Sequence, residues 1–110
     1  MEIAEHTEAD HLVIALGGRL DSNTSPDLDT LLGPRMESAT SVIVDMTRLD
    51  YVSSAGLRVL LKAAKIARAS QHRLALAGLT PQVQEVFDIS GFTAIFTIYD
   101  TRQKAIEALR

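Results

Sequence analysis

The sequence contains no cysteine. That removes a disulfide framework, a thiolate zinc site and a cysteine nucleophile together. It has no apolar run of the ~18 residues that a membrane-spanning helix needs. Positive charge is not in excess, since 11 Lys and Arg stand against 14 Asp and Glu for a net charge of -3. A mild acid excess exerts no net pull toward nucleic acid or an anionic membrane, so neither is an expected partner. The first residues include Glu2, Glu5, Glu8 and Asp10, the opposite of a cationic leader, and a cytoplasmic location is the expectation. There is no Gly-x-x-x-x-Gly-Lys loop and no His-x-x-x-His pair, so neither a phosphate-cradling loop nor a helical metal site is expected. No linker, low-complexity tract or internal repeat divides the chain.

What remains is 110 residues with 46% hydrophobic and 23% charged content, the balance of one ordinary globular domain over residues 1–110. A chain of this size buries roughly two-thirds of the surface that it exposes when unfolded, enough for one core.

Residues 2–8 read as an edge strand, and Glu8-Ala9-Asp10 as a turn. Leu12–Leu16 is a short apolar run that reads as a buried strand ended by Gly17-Gly18. Asp21–Ser25 is a polar loop, and Ser25 before Pro26 reads as an N-cap with proline in the first helical position. Leu28, Leu31 and Leu32 give that helix its apolar face, and Gly33-Pro34 predicts a kink. Val42-Ile43-Val44 with Asp45 and Met46 reads as a central strand, apolar on both faces. Residues 47–52 read as a connection, and about 54–69 as the longest helix. Leu74–Ala77 is a fourth strand. Thr80-Pro81 repeats the capping pattern for a short helix that Gly91 stops. Ile95–Tyr99 is a fifth strand, and Asp100 or Thr101 caps a last helix carrying Ala105, Ile106 and Leu109. The order is β-β-α-β-α-β-α-β-α. A hairpin followed by right-handed crossovers gives a mixed, mainly parallel five-stranded α/β sheet with about four helices.

The segment Tyr51-Val52-Ser53-Ser54-Ala55-Gly56-Leu57 leads from the central strand into the longest helix. Two serines at a helix start are simply explained by capping, because a serine oxygen accepts from an orphan backbone N–H. Gly56 is less expected there, since glycine costs a helix about 1 kcal/mol against alanine. It points to a strained turn or to a close approach of another group to the backbone. The same free N–H groups and positive dipole end also suit an anion, and a phosphoryl group on Ser54 would bring about -1.5 to -2 charge. Along the helix, Arg58, Lys62 and Lys65 form a basic stripe, whose simplest account is a solvated face. Leu57, Leu60, Leu61, Ala64 and Ala67 form the core face. Val59, Ala63 and Ile66 widen the apolar arc beyond one core contact, so a second element or a partner covers it. Tyr51 is expected to be partly buried.

This segment resembles the signature of the STAS-domain anti-sigma-factor antagonists, Asp-Ser-Ser/Thr-Gly-Leu between a buried strand and a helix. The family's phosphorylated serine falls on Ser54, and Gly56 and Leu57 match its glycine and leucine. Gly18-Arg19-Leu20-Asp21 with Ser25-Pro26 is similar to the family's Gly-Glu-Ile/Leu-Asp and following Ala-Pro. Phe87-Asp88-Ile89-Ser90-Gly91-Phe92 is similar to its Phe-x-Ile-Thr/Ser-Gly-Leu. Three motifs in order extend the resemblance over essentially the whole chain, as one STAS domain. The chain departs from the pattern at Ser53, where the family has aspartate, at Ala55, and at Arg58, where a glycine is common. Ser53 is thereby a rival acceptor.

The resemblance implies partner switching by a protein that is not an enzyme and is monomeric when free. The unmodified form would bind an anti-sigma factor that is also a GHKL-type serine kinase, releasing a sigma factor. Phosphorylation of Ser54 would break that complex, and a metal-dependent serine phosphatase would reset it. Asp21, Ser22, Asn23, Thr24, Tyr51, Arg58, Val59 and Lys62 would form the partner surface. The resemblance also admits a scaffold or an accessory subunit of a transporter ATPase or signalling complex, which docks without switching. A serine hydrolase is a poor fit, because Val52 occupies the place of the first glycine of Gly-x-Ser-x-Gly. His6, His11 and His72 read as strand-edge or turn residues, and Asp45 and Asp50 as turn and cap chemistry.

Overall fold

The computed structural model describes residues 1–109. Its elements are β1 (Glu2–Glu8), β2 (His11–Leu20), α1 (Ser25–Ser38), β3 (Ser41–Val52), α2 (Ser54–Ser70), β4 (Arg73–Ala77), α3 (Pro81–Ser90), a 3-10 turn (Phe92–Ala94), β5 (Thr97–Tyr99) and α4 (Arg102–Ala108). The sheet order is β1-β2-β3-β4-β5. Only β1 and β2 are antiparallel; the other pairs are parallel, as the alternation of strands and helices predicts. The hairpin turns at Ala9 and Asp10, both at positive φ, as a tight two-residue connection requires.

Strand alternation sorts the core onto two faces. Ile14, Leu16, Val42, Val44 and Leu76 point to one side, where they meet α1, α2 and α3 through Leu28, Leu32, Leu57, Leu60, Val83 and Phe87. Val13, Ile43, Ala75 and Ala77 point to the other side and are covered by Ala105, Ile106 and Leu109 of α4. The wide apolar arc of α2 is accounted for by α1. Ala63 is buried, Val59 and Ile66 pack on the same core, and the Ile66 Cδ1 atom lies 4.0 Å from the position of a Cβ at Gly33. Leu61 and Ala64 lie at the margin of the core face rather than within it.

Four local expectations are corrected. Gly17-Gly18 does not end β2. The strand continues to Leu20, with register shifts between Ala15 and Gly17 and between Gly18 and Arg19. Gly18 has φ +89, so glycine here allows an irregularity in a continuing strand, not a stop. Residues 47–52 are accordingly not a connection. They are the second half of β3, paired with the extended β2, and bury Leu49 and Val52 while Arg48, Asp50 and Tyr51 stay exposed. Ser25 is not the N-cap of α1. Thr24 holds that position, and the buried Ser25 hydroxyl instead donates to the Asp21 carbonyl. Finally, β5 starts at Thr97. Phe96 turns inward to meet Phe87 edge-on, with centroids 5.7 Å apart, and this closes residues 92–96 into a turn that leaves Ile95 exposed.

α1 passes through Gly33-Pro34 without ending. Thr80 stands at the N-cap of α3 without a side-chain cap; its hydroxyl donates to the Leu49 carbonyl at 3.0 Å and ties α3 to β3. Gly91 closes α3 at φ +77, and Thr101 caps α4 by accepting from the Lys104 N–H.

The extended β2–β3 pairing brings Leu20 opposite Val52. The start of α2 then rests on the end of β2. A Cβ on Gly56 would lie 2.6 Å from the Leu20 Cγ and 3.0 Å from the Val52 Cγ2. The glycine is thus required by close packing. Gly56→Ala should destabilise the protein by about 1–3 kcal/mol in urea unfolding, because overpacking outweighs the gain of about 1 kcal/mol in helix propensity. A stabilised Gly56→Ala protein would contradict this packing.

Candidate functional site

Two loops lie side by side at the carboxyl edge of the parallel strands, one from β2 to α1 and one from β3 to α2. Ligand and partner sites of α/β sheets concentrate at this edge. The Ser53 N–H donates to the Leu20 carbonyl at 2.9 Å, which fastens the second loop to the first.

The adjacent serines have different tasks. Ser53 is the N-cap of α2, with φ -96 and ψ 173. Its hydroxyl accepts from the Gly56 N–H at 3.3 Å, and its carbonyl accepts from the Leu57 N–H at 3.0 Å. It is half-buried. Ser54 is the first residue of the helix and is exposed, with no acidic residue in the first turn. Ala55 is half-buried, and Gly56 and Leu57 are buried against the core. Aspartate and serine are near-equal N-caps. Ser53 therefore supplies the capping that an aspartate would supply, without its charge.

The neighbouring loop is organised by Asp21. Its Oδ1 accepts from the Asn23 N–H at 3.0 Å, the Thr24 N–H at 3.1 Å and the Thr24 hydroxyl at 3.2 Å. Burial alone would raise this carboxyl, but the Thr24 and Asn23 hydrogen bonds, helped by Arg19, hold it below its ordinary 3.8. Ser22 and Asn23 project to solvent from the turn thus fixed, and Thr24 is half-buried. Arg19 reaches Asp21 Oδ2 at 3.7 Å and stacks on Tyr51, its strand partner, with the guanidinium 4.1 Å from the ring centroid. Tyr51 is 39% exposed, more open than its sequence suggests.

A groove of about 310 Å³ runs between the N-terminal halves of α1 and α2, and Ser22, Arg58, Val59 and Lys62 all line it. The basic stripe is not uniform. Lys62 is held by Asp29 of α1 at 3.2 Å, whereas Arg58 has no carboxylate partner among the described residues. The structure therefore brings Asp21, Ser22, Asn23, Thr24, Ser53, Ser54, Tyr51, Arg58, Val59 and Lys62 to one end of the molecule.

Two residues of this surface escape the sequence reading. Arg19 has a local signal, since it sits two residues before Asp21 at a strand end and so shares its side of the sheet. Asp29 has none, because its meeting with Lys62 depends on α1 packing against α2. The histidines lie elsewhere. His11 and His72 are at the opposite edge of the sheet, bonded to Ser41 and the Met36 carbonyl, and His6 pairs with Glu8 on β1. No helix is long and apolar enough to cross a membrane among the described residues.

The family profile described as the STAS domain matches residues 1–105. This chain belongs to the STAS domain family. It is 41% identical over 100 residues to BtrV of Bordetella bronchiseptica, a candidate anti-sigma factor antagonist, covering 90% of this chain and 86% of that protein. It is 31% identical over 99 residues to the anti-sigma-B factor antagonist of Listeria monocytogenes, covering 89% and 86%. The phosphorylated form of SpoIIAA, a Bacillus cell fate determinant, superposes with TM-score 0.77 at 23% identity over 99% of this chain and 100% of that one. The five-stranded mixed sheet and its four helices are thus a STAS fold.

Two measurements test the site's construction. Ser53→Ala should cost about 1 kcal/mol in urea unfolding, and Ser53→Asp should stay within about 0.5 kcal/mol of wild type, since aspartate caps as well as serine. An undiminished stability of Ser53→Ala would show that the Ser53 side chain does not cap α2. The depressed Asp21 carboxyl contributes stability that is present above its unfolded value near 3.8 and is lost as pH falls through the lower folded value. Asp21→Asn should therefore be less stable than wild type near neutral pH, with the gap narrowing on acidification. A gap that is constant with pH would overturn the assignment.

Proposed function

We propose that this chain is an anti-sigma factor antagonist that works by partner switching, with Ser54 as the switched residue. The observation that carries this reading is the division of labour at the start of α2. Ser53 is committed to the helix cap, while the neighbouring Ser54 is exposed at the first turn, beside an ordered loop and a groove. Membership of the STAS family and relatives named as anti-sigma factor antagonists support it.

In this reading the unmodified surface around Ser54 binds an anti-sigma factor that is also a GHKL-type serine kinase, in the cytoplasm, and its sigma factor is released. The kinase then transfers the γ-phosphoryl group of its ATP. The Ser54 oxygen forms the new P–O bond, the bond from the γ-phosphorus to the β,γ-bridging oxygen breaks, ADP leaves, and the serine proton passes to a base on the kinase. The chain is the substrate and supplies no catalytic group. A metal-dependent serine phosphatase hydrolyses the phosphoserine and restores the binding form.

Local chemistry favours Ser54 over Ser53 as the acceptor. Phosphorylating Ser53 would disturb the oxygen that caps Gly56, whereas Ser54 can carry a phosphoryl group beside the free N–H groups and positive end of α2. The fold tolerates the mark, and the interface does not. Placing an uncompensated dianion in a contact costs several kcal/mol, and 2.7 kcal/mol is already about a hundredfold in affinity.

Incubation with the cognate kinase and ATP should add one phosphoryl group by intact mass, and none in Ser54→Ala. Ser54→Asp should bind the kinase about a hundredfold more weakly than wild type, and Ser54→Ala about as well as wild type. Undiminished binding by Ser54→Asp would rule out charge as the switch. Stable binding without any mass addition would favour a scaffold that docks without switching.

A further inference from the structure

We propose that Arg58 is the internal counter-ion of phosphorylated Ser54, so that modification both adds a dianion and withdraws Arg58 from the groove. The inference rests on the reading of Ser54 as the acceptor.

Residues 54 and 58 lie one turn apart on α2, about 40° around its axis, the spacing at which helical side chains meet. The guanidinium presents several N–H donors in a plane and suits phosphate oxygens better than a lysine ammonium does. The other cations of this surface are committed or distant. Arg19 lies over Tyr51 and beside Asp21. Lys62 is paired with Asp29, and it stands two turns further along α2, about 12 Å up the axis from Ser54. Lys65 is further still. Arg58 is exposed, has no carboxylate partner among the described residues, and has no acid in the first turn to compete with a phosphate.

In the unmodified protein Arg58 lines the groove with Val59 and Lys62. There it offers a cation to an acidic partner. Once Ser54 carries a phosphoryl group, pairing draws the guanidinium toward the start of the helix. The partner then loses a favourable contact in addition to meeting a repulsive one.

The test uses the full chain with phosphoserine genetically encoded at position 54, and so needs no kinase. Phosphorus NMR titration reads the second ionisation of the phosphate in this protein and in the same protein carrying Arg58→Ala, Arg58→Lys or Lys62→Ala. The ionisation should rise by about 0.15–0.4 unit on Arg58→Ala, the shift that corresponds to an exposed helical ion pair. Arg58→Lys should recover part of the difference, Lys62→Ala should leave it intact, and about 1 M salt should shrink it. An Arg58→Ala phosphate titrating within about 0.1 unit of wild type would overturn the pairing. So would an equal rise in Lys62→Ala, which would mean a diffuse basic field. Because the phosphate is installed directly, failure here is distinct from failure of the kinase to modify Ser54.

Discussion

The pairing of β2 with β3 beyond the irregularities near Gly17 and Gly18 is the constraint on which this surface depends. Had β2 stopped at the glycines, the Asp21 loop and the Ser53 loop would leave the sheet at different levels. Instead Leu20 lies opposite Val52, and its carbonyl takes the Ser53 N–H. The Leu20 side chain then sets how closely α2 can approach, and only a residue without a Cβ fits at Gly56. Strand register, helix position and loop adjacency therefore follow from one stretch of ladder. The site is built from the end of the sheet and is not an appendage to it.

On that base the two loops are stabilised separately. Asp21 satisfies its loop with one carboxylate oxygen that accepts from three donors of Asn23 and Thr24. Ser53 satisfies the first turn of α2 with its hydroxyl and carbonyl. Each loop meets its own backbone needs, which leaves Ser22, Asn23, Ser54 and Arg58 exposed. Polar groups with no structural task at an ordered surface are those available to a partner.

Much of this was legible in the sequence where the controlling contacts are local. The Val42–Val44 strand, the long helix from Ser54, the Gly91 stop and the Thr101 cap all follow from neighbours a few residues away. The features that were not legible depend on distant partners. Gly17-Gly18 reads as a stop because glycine usually weakens a strand, and only the facing residues 48–52 reveal that pairing persists. Those same residues read as a connection because Arg48, Asp50 and Tyr51 are polar or exposed on the open face, while Leu49 and Val52 keep the inward positions. Ile95 and Phe96 look alike to a periodicity argument, but the ring of Phe87 selects Phe96. At the site, the serines and Gly56 were visible as an anomaly of a helix start. Which serine caps and which is free required the geometry.

The net charge of -3 describes this surface poorly. Around Ser54 the relevant charges are few and unequal. Asp21 is held in its ionised form by hydrogen bonds within its own loop. Lys62 is largely offset by Asp29, and Arg58 is not offset by any described residue. A phosphoryl group on Ser54 would enter at the positive end of a helix and one turn from that cation, so its effect on the fold is neutral or favourable. Its effect on an interface is the reverse, because a contact built for an uncharged hydroxyl must exclude the water that solvates a dianion. In that reading the same few ångströms of helix would separate the stability of the domain from the stability of its complexes. Under the proposed function, that separation would let a covalent mark on Ser54 act as a switch without unfolding the protein that carries it.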